Sequence, residues 1–362
     1  MNKRILVGMS GGIDSTASCL LLQKQGYEVV GITFLNHSLG MHDSNGEPCY
    51  VTEAREAAAG LGVEHHVTDV RDEFDRDVAM PFVQGWLAGL TPNPCVRCNP
   101  GFKFRLLAEW ADRLACDRIA TGHYAQIAER GERLFVQQGA DEFKDQSYFL
   151  CRLGQDVLRR TIFPVGGMTK QQVRGFLAEN GFESGVPKRE SMEICFIEKD
   201  YRDYLRARVP DIDSRIGCGA FVDSGGKVIG EHKGYPYYTV GQRKGLEVAF
   251  GSPRYVLRTN PEKNTVMLGT EEQLETEYML VEGMSLNRLE PASDEVLQVR
   301  IRYRSHAVEC CVLGEVADGR TLIRFREPVS AVAPGQTAVF YQGAIVVGFA
   351  EISSQRGIRQ YL

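Results

Sequence analysis

The chain has 362 residues, 43% hydrophobic and 25% charged. That is the balance of a globular protein, at a length that calls for two or three domains. Its net charge of −5 excludes a global positive field, so any nucleic-acid contact has to use local basic faces. No apolar run reaches the roughly 20 residues of a membrane span, and MNKRILVGMSGG does not read as a signal peptide. A cytoplasmic protein with no membrane partner is expected, and nothing in the sequence demands more than a monomer. The ten cysteines are irregularly spaced. In a reducing compartment most are ordinary thiols, leaving a few for reactivity or metal binding.

RILVGM (4–9) reads as a buried strand, and Ser15 to Gln25 as a helix closed by Gly26. YEVVGITF (27–34) is a second strand. VTEAREAAAG (51–60) is a helix closed by Gly60, and EHHVTDV (64–70) is a third strand. PFVQGWLAGL (81–90) and FRLLAEWADRLA (104–115) are helical, and DRIATGHY (117–124) is a fourth strand running into a turn. Repeated β-α-β units predict an α/β fold: a doubly wound parallel sheet with its ligand at the carboxyl ends of the strands. Near residue 200 the pattern changes. A short helix from Lys199 to Val209 precedes the β segments GAFVDSGGKVIGEH and YVLRTNPEKNTVMLG, the latter turning at NPEKN. From about residue 280, LQVRIRYR, VECCVLGEV, RTLIRFREP and QTAVFYQGAIVVGFAEI read as antiparallel strands of a small barrel. The expected domains are 1–198, a small β-rich domain over 199–275 and a barrel over 276–362.

SGGIDS (10–15) lies between the first strand and the first helix. Ser10, Gly11 and Gly12 can turn several backbone N–H groups to one point, and the helix adds its positive end, which makes an anion site. The Walker and Rossmann patterns are both absent. Asp14 is unusual in such a loop, unless Mg²⁺ lies between it and the phosphates. The plain alternative is a strand-to-helix turn capped by Ser10 or Asp14. S-G-G-x-D-S resembles the loop of the ATP pyrophosphatase superfamily, whose members cleave ATP between its α- and β-phosphates and adenylate a substrate oxygen.

TPNPCVRCN (91–99) carries Cys95 and Cys98 in a segment stiffened by two prolines. They read as incidental thiols, half of a zinc site or a reactive pair, although no second C-x-x-C follows. Cys195, in MEICFIEKDYRDYL (192–205), reads by itself as a buried strand thiol. Cys19, Cys116, Cys151, Cys218, Cys310 and Cys311 read as packing residues. Cys49 follows His37 and His42, a remote candidate for a metal site.

GMSGGIDS (8–15), TPNP-x-x-x-CN (91–99), ATGHYA (120–125), KDQSYFL (144–150), ICFI (194–197), YTVGQRKGL (238–246) and RIRYR (300–304) together resemble the tRNA-specific 2-thiouridylase family, over nearly the whole chain. The resemblance implies a sulfurtransferase that adenylates O2 of uridine 34 with ATP and Mg²⁺ and replaces that oxygen with sulfur. The products are 2-thiouridine, AMP and pyrophosphate. The implied partners are tRNAs for Lys, Glu and Gln and a protein that donates persulfide sulfur. Cys98 matches the nucleophile and Cys195 the persulfide carrier. Either the terminal sulfur attacks C2 directly, or Cys98 attacks the persulfide and releases hydrosulfide. Both routes can leave a Cys98–Cys195 disulfide. Nucleotide contacts are implied at Gly8, Met9, Ser10, Gly11, Gly12, Ile13, Asp14, Ser15, Leu35 and Gly122. Contacts to tRNA are implied at Asn93, Pro94, Cys95, His123, Lys144, Asp145, Gln146, Arg302, Tyr303 and Gln336.

Cys95 departs from the family, many members of which carry aspartate there. Its thiol could form a competing disulfide with Cys98, or join Cys98 and Cys195 on an iron–sulfur cluster. In VRIRYR (299–304), strand alternation would align Arg300, Arg302 and Arg304 on one face able to track phosphates. It would also point Arg302 and Tyr303 apart, unless the strand bends. Two rival functions stay open: an adenylating amide-forming ligase, which needs no paired cysteines, and a tRNA-binding module without catalysis.

Overall fold

The structure is a computed structural model describing residues 3–182, 194–246, 251–287, 296–316 and 318–361. By contacts the chain divides into two units, Met1–Ala79 with Cys95–Glu198 and Ala344–Val346, and Met80–Pro94 with Lys199–Gly343 and Val347–Leu362.

The first unit is built on apolar strands that only a doubly covered sheet can hide. Strand β1 (Arg4–Gly8) carries Ile5, Leu6 and Val7, all fully buried. Each such side chain contributes roughly 1.5–3 kcal/mol of burial. Helix α1 (Ile13–Lys24) follows, then β2 (Glu28–Leu35), α2 (Cys49–Leu61), β3 (Glu64–Asp69) and, further on, β4 (Arg118–Thr121). The sheet runs β3-β2-β1-β4 and ends on strand Thr161–Ile162, with every pairing parallel. The order reverses between β1 and β4, and at such a switch point the strand ends leave a crevice for a ligand. Cys19 and Leu22 of α1 and Ala54 and Ala58 of α2 pack on one face of β1.

Helix α2 does not end at Gly60. It continues to Leu61, and Gly62 takes the left-handed cap at φ 64°. Gly60 remains inside the helix because its backbone need not leave the α region there. A hairpin, Ala125–Arg130 with Arg133–Gln138, was not expected from the sequence.

The second unit holds a four-stranded sheet. Its order is Tyr255–Asn260, Thr265–Gly269, Gly219–Val222, Val228–His232. Asn264 adopts φ 44° at the NPEKN turn, a conformation asparagine tolerates. A six-stranded antiparallel barrel follows. It runs Glu275–Leu286, Thr321–Ser330, Val308–Glu315, Leu297–Arg300, Thr337–Gln342, Ile345–Ile352, and closes from the last strand back to the first.

One sequence expectation fails here. The strand through VRIRYR stops at Arg300. Residues 301–304 form a turn in which Arg304 has φ 63°, so the three arginines share no face. Arg300 lies with its guanidinium 5.1 Å from the ring centre of Tyr341, itself buried. Arg302 and Arg304 are exposed on the turn.

Candidate active site

The loop after β1 is shaped by exclusion. Gly11 has φ 74°, and a Cβ there would stand 2.6 Å from Glu53 Cβ and 2.8 Å from the Ala54 nitrogen. A Cβ on Gly122, beyond β4, would stand 2.7 Å from the Asp14 carbonyl carbon. Glycine is required at both places because backbone passes backbone. Ser15 Oγ donates to the Gly12 carbonyl at 3.0 Å and accepts from the Ser10 N–H at 3.3 Å. Gly12 caps α1 with no side-chain hydrogen bond. The 12-residue helix therefore presents uncapped N–H groups at the switch point, as an anion cradle requires. Gly8 and Met9 lead into the loop, and the Met9 N–H donates to the Ile32 carbonyl at 2.8 Å. Leu35 ends β2, half-buried.

Asp14 is committed to the protein. Lys170 Nζ lies 2.7 and 2.8 Å from its two oxygens, and the Tyr124 hydroxyl donates to Oδ1 at 2.7 Å. With its charge answered by an ammonium, this carboxylate does not fit a magnesium ligand; it orders the loop. Lys170 was missed from sequence, yet a signal was present. Thr169 and Gln172 form a reciprocal capping box (Gln172 N–H to Thr169 Oγ1 at 3.2 Å, Thr169 N–H to Gln172 Oε1 at 2.8 Å). That T-x-x-Q pattern starts helix Lys170–Glu179 with Lys170 as its first residue.

The cysteines gather around a lysine. Cys95 and Cys98 occupy the short helix Pro94–Cys98, and a π-helical turn, Asn99–Lys103, follows it. The backbone at Lys103 favours the Cys98 thiolate. Burial pushes the Cys95 thiol up to about 12, with the neighbouring Cys195 and Cys98 adding to the rise. Burial likewise pushes Cys98 up to about 11, against the opposing pull of Lys103. Cys195 is solvent-exposed in a turn, not in a buried strand. Protein atoms still crowd its sulfur enough to raise its thiol, and Lys103 opposes that rise too. The three thiols and one ammonium thus lie within electrostatic reach of one another. Periodicity hides Lys103, because the π turn moves it off the positions a regular helix would give.

Phe196, next to Cys195, is buried edge-on against Phe74 with ring centres 5.5 Å apart, and Phe74 meets Phe102 at 5.3 Å. Glu198 accepts from the Gly40 N–H at 2.6 Å. These contacts fix the segment that displays Cys195. Met192 and Glu193 of the same stretch lie outside the described residues.

Among the described residues, no group of three or more His, Cys, Asp or Glu side chains stands so that it could hold a metal ion. Cys95, Cys98 and Cys195 do not stand as the ligands of a single metal ion. Neither do Cys49, His37 and His42 form a metal site, since the His37 ring is instead packed on Tyr50 at 5.3 Å. Cys19, Cys116 and Cys310 are buried and Cys151 is half-buried, but Cys218 and Cys311 are exposed and are not packing residues.

His123 joins the two groups. Its Nδ1 is 2.7 Å from Thr121 Oγ1 and its ring stacks on Phe104 at 6.0 Å. Burial, reinforced by Lys103, holds its pKa well below the usual imidazole value, so it is neutral. Gly122 touches the Asp14 backbone, His123 follows it, and Lys103 lies within reach of both His123 and the thiols.

Residues 3–199, 208–270 and 277–352 match the family models described as the tRNA methyl transferase HUP domain, the tRNA methyl transferase PRC-barrel domain and the aminomethyltransferase beta-barrel domain. The chain is 54% identical over 363 residues to a tRNA-specific 2-thiouridylase MnmA 3 of Phocaeicola vulgatus, covering 99% of this chain and 96% of that protein. It is 55% identical over 359 residues to its namesake in Bacteroides fragilis, covering 98% and 96%. The tRNA-specific 2-thiouridylase MnmA of Cytophaga hutchinsonii is 41% identical over 360 residues, covering 97% of each. The chain belongs to the tRNA-specific 2-thiouridylase family.

The contacts that membership in the 2-thiouridylase family led us to expect divide into two kinds. Asp145 is buried, and its oxygens accept from the Gly139 N–H at 3.1 Å, the Ser147 N–H at 3.0 Å and the Ser147 hydroxyl at 2.9 Å. Gln146 Oε1 accepts from the Tyr124 N–H at 3.0 Å. Both residues build their own loop, so the expectation that Asp145 faces RNA does not fit. Asp141 stiffens the same loop by accepting from the Phe143, Lys144 and Lys170 N–H groups at 2.9–3.2 Å. Held there, Phe143 is 88% exposed, an outward residue the sequence reading overlooked.

In the second unit, Gln336 Nε2 donates to the Thr91 carbonyl at 2.7 Å, and the Thr91 N–H donates to the Pro334 carbonyl at 2.7 Å. Gln336 therefore holds the loop that ends in Asn93 and Pro94. The turn 301–304 supplies the bend that Arg302 and Tyr303 need. Arg304 lies over the Tyr303 ring at 5.4 Å, and Arg302 points to solvent.

Proposed function

We propose that the protein is a tRNA-uridine 2-sulfurtransferase. It converts C2=O of the wobble uridine to C2=S with ATP, releasing AMP and pyrophosphate. The observation that carries this reading is the junction in the first unit. An uncapped helix start meets Gly122 and His123, and Lys103 links that corner to three thiols. An amide-forming ligase has no use for such thiols, and neither has the methyl transfer named in the family descriptions.

The chemistry follows from the residues. The C2 carbonyl of uracil is a poor electrophile and its oxygen a poor leaving group, so the oxygen must first become a phosphate ester. ATP with its magnesium, held at residues 8–15, supplies the adenylyl group. The α1 N–H groups and the positive helix end stabilise the charge on the departing pyrophosphate. Neutral His123 neither adds nor withdraws a full charge beside the phosphate.

Cys195, exposed, receives a persulfide from a donor protein. The Cys98 thiolate, favoured by Lys103, attacks the inner sulfur of that persulfide. Hydrosulfide leaves, adds at C2 and expels AMP. Cys98 and Cys195 end as a disulfide, their two electrons having reduced the sulfane sulfur to sulfide. The exposed Phe143 beside Lys144 in one unit, and the exposed Arg302 beside Tyr303 in the other, are suited to unstacked bases and phosphates.

The test is mass spectrometry of wobble-uridine tRNA incubated with the protein, ATP, magnesium and a cysteine desulfurase charged with cysteine. The expected result is 2-thiouridine formed one-for-one with AMP, and lost in C98S and in C195S while nucleotide binding survives. Pyrophosphate release with no oxygen-to-sulfur mass change, or full activity in either variant, overturns the reading.

A further inference from the structure

Resting on that reading, we infer that Cys95 is the resolving thiol of the cycle. It attacks the Cys98 sulfur of the Cys98–Cys195 disulfide, moves the disulfide to Cys95–Cys98 and releases Cys195 for reloading.

Three observations converge on this. The first is position. Cys95 and Cys98 stand three residues apart in helix Pro94–Cys98. Helix geometry separates such Cα atoms by about 5 Å, inside the range of roughly 4.4–6.8 Å that a disulfide spans. The Asn99 side chain donates to the Cys95 carbonyl at 3.0 Å and to the Phe149 carbonyl at 3.3 Å, fixing the turn. Bridging it asks the helical turn to tighten, because i,i+3 Cβ atoms stand about 5–6 Å apart and a disulfide spans about 3.5–4.5 Å between them.

The second is mutual reach. Cys95 interacts electrostatically with both Cys98 and Cys195, and Cys98 with Cys195. Cys95 therefore neighbours the very bond that sulfur delivery leaves behind. Lys103 is within reach of all three and stabilises whichever sulfur carries the negative charge.

The third is asymmetry of exposure. Cys195 is exposed, whereas Cys95 and Cys98 are half-buried. A donor protein meets the exposed residue Cys195 before the other two, although protein atoms crowd all three sulfurs. Tying up Cys195 in a disulfide blocks loading, and moving the disulfide onto the helix removes that block.

The step balances without an added oxidant. The Cys95 thiolate forms the Cys95–Cys98 bond as the Cys98–Cys195 bond breaks, and Cys195 leaves as thiolate. One disulfide and one thiolate stand on each side. A cellular dithiol reductant later returns the Cys95–Cys98 pair to thiols.

The full-length protein is oxidised with one equivalent of diamide, without tRNA or ATP, then alkylated, digested and mapped by mass spectrometry. Wild type is expected to yield the Cys95–Cys98 disulfide with Cys195 alkylated, in about tenfold excess over Cys98–Cys195, equivalent to a gap of about 30 mV between the two couples. C95S and C95D are expected to yield Cys98–Cys195. With the desulfurase and a dithiol reductant, both variants are expected to lose about tenfold in the ratio of their multiple- to single-turnover rates. Agreement of two variants of different shape separates the missing thiol from a packing defect. Wild type that makes 2-thiouridine yet ends as Cys98–Cys195, or variants whose turnover ratio matches wild type, overturns the inference and leaves the proposed function standing. No 2-thiouridine in any reaction overturns the proposed function itself.

Discussion

Lys170 grips Asp14 across 156 positions of sequence, its ammonium 2.7 and 2.8 Å from the two carboxylate oxygens. Both side chains are mostly shielded, 17% and 26% exposed. Removing one partner strands the other in a poorly hydrated place. Lys170→Met is expected to cost about 1–3 kcal/mol of stability and to weaken nucleotide binding. Asp14→Asn in the same chain should restore part of the loss, because the stranded charge is gone. Denaturant midpoints of the single and double variants check this; equal midpoints for wild type and Lys170→Met would sink it.

Cys98 should be a slow thiol for its role. Its folded value of about 11, against 9.0 for an ordinary cysteine, leaves about a hundredfold fewer thiolates near pH 8. Alkylation by iodoacetamide is expected to rise about tenfold per pH unit from 8 to 10, and Lys103→Met should slow it further. The stability linkage has a definite sign. The folded state holds this proton longer than the unfolded one, so the contribution is complete below about pH 9 and is lost as pH rises toward 11. A stability that increased across that window would contradict the assignment.

The outward and inward residues of the segments proposed to face RNA should separate in binding assays. Arg302→Ala is expected to weaken tRNA binding and reduce the slope of log affinity against log salt by about 1. Phe143→Ala should weaken binding with the slope unchanged, since stacking releases no counterion. Asp145→Asn should lower the melting temperature, because it breaks the loop's internal bonds. If Asp145→Asn changed affinity at constant stability, the carboxylate would after all face RNA.

Gly122→Ala has no room. Its Cβ would meet the Asp14 backbone at 2.7–2.9 Å, where no side chain can swing aside. Nucleotide binding is expected to fall with stability. Gly101→Ala, with nothing within 4 Å of the added carbon, serves as the control and should leave both unchanged. Isothermal titration with a non-hydrolysable ATP analogue reads the difference.

The parallel sheet and the loop at its switch point were legible because alternating strands and helices, bounded by glycines, are local signals. The barrel was legible as a run of strands. What stayed hidden depends on tertiary geometry. Lys103 reaches the thiols through a π turn, which no 3.6-residue pattern reports. Lys170 meets Asp14 only after the chain has crossed the sheet, although its capping box was readable. The arginine stripe failed for the opposite reason. Alternation was extended beyond Arg300, where a positive φ at Arg304 ends it, and sequence carries no mark for that. Asp145 looked like a surface charge, because the three donors that bury it converge through the loop's own fold.

Phe196 and Cys195 are adjacent, one ring locked against Phe74 and the other an exposed residue whose sulfur is still crowded by protein. In the proposed cycle the sulfur is therefore carried on a mounted post, not on a swinging arm. Until hydrosulfide is released, the distance one atom of sulfur can travel on this chain is set by the length of a single cysteine side chain. Whatever further travel lies between donor and uridine must come from the donor's reach, from the released hydrosulfide and from how the RNA is set down.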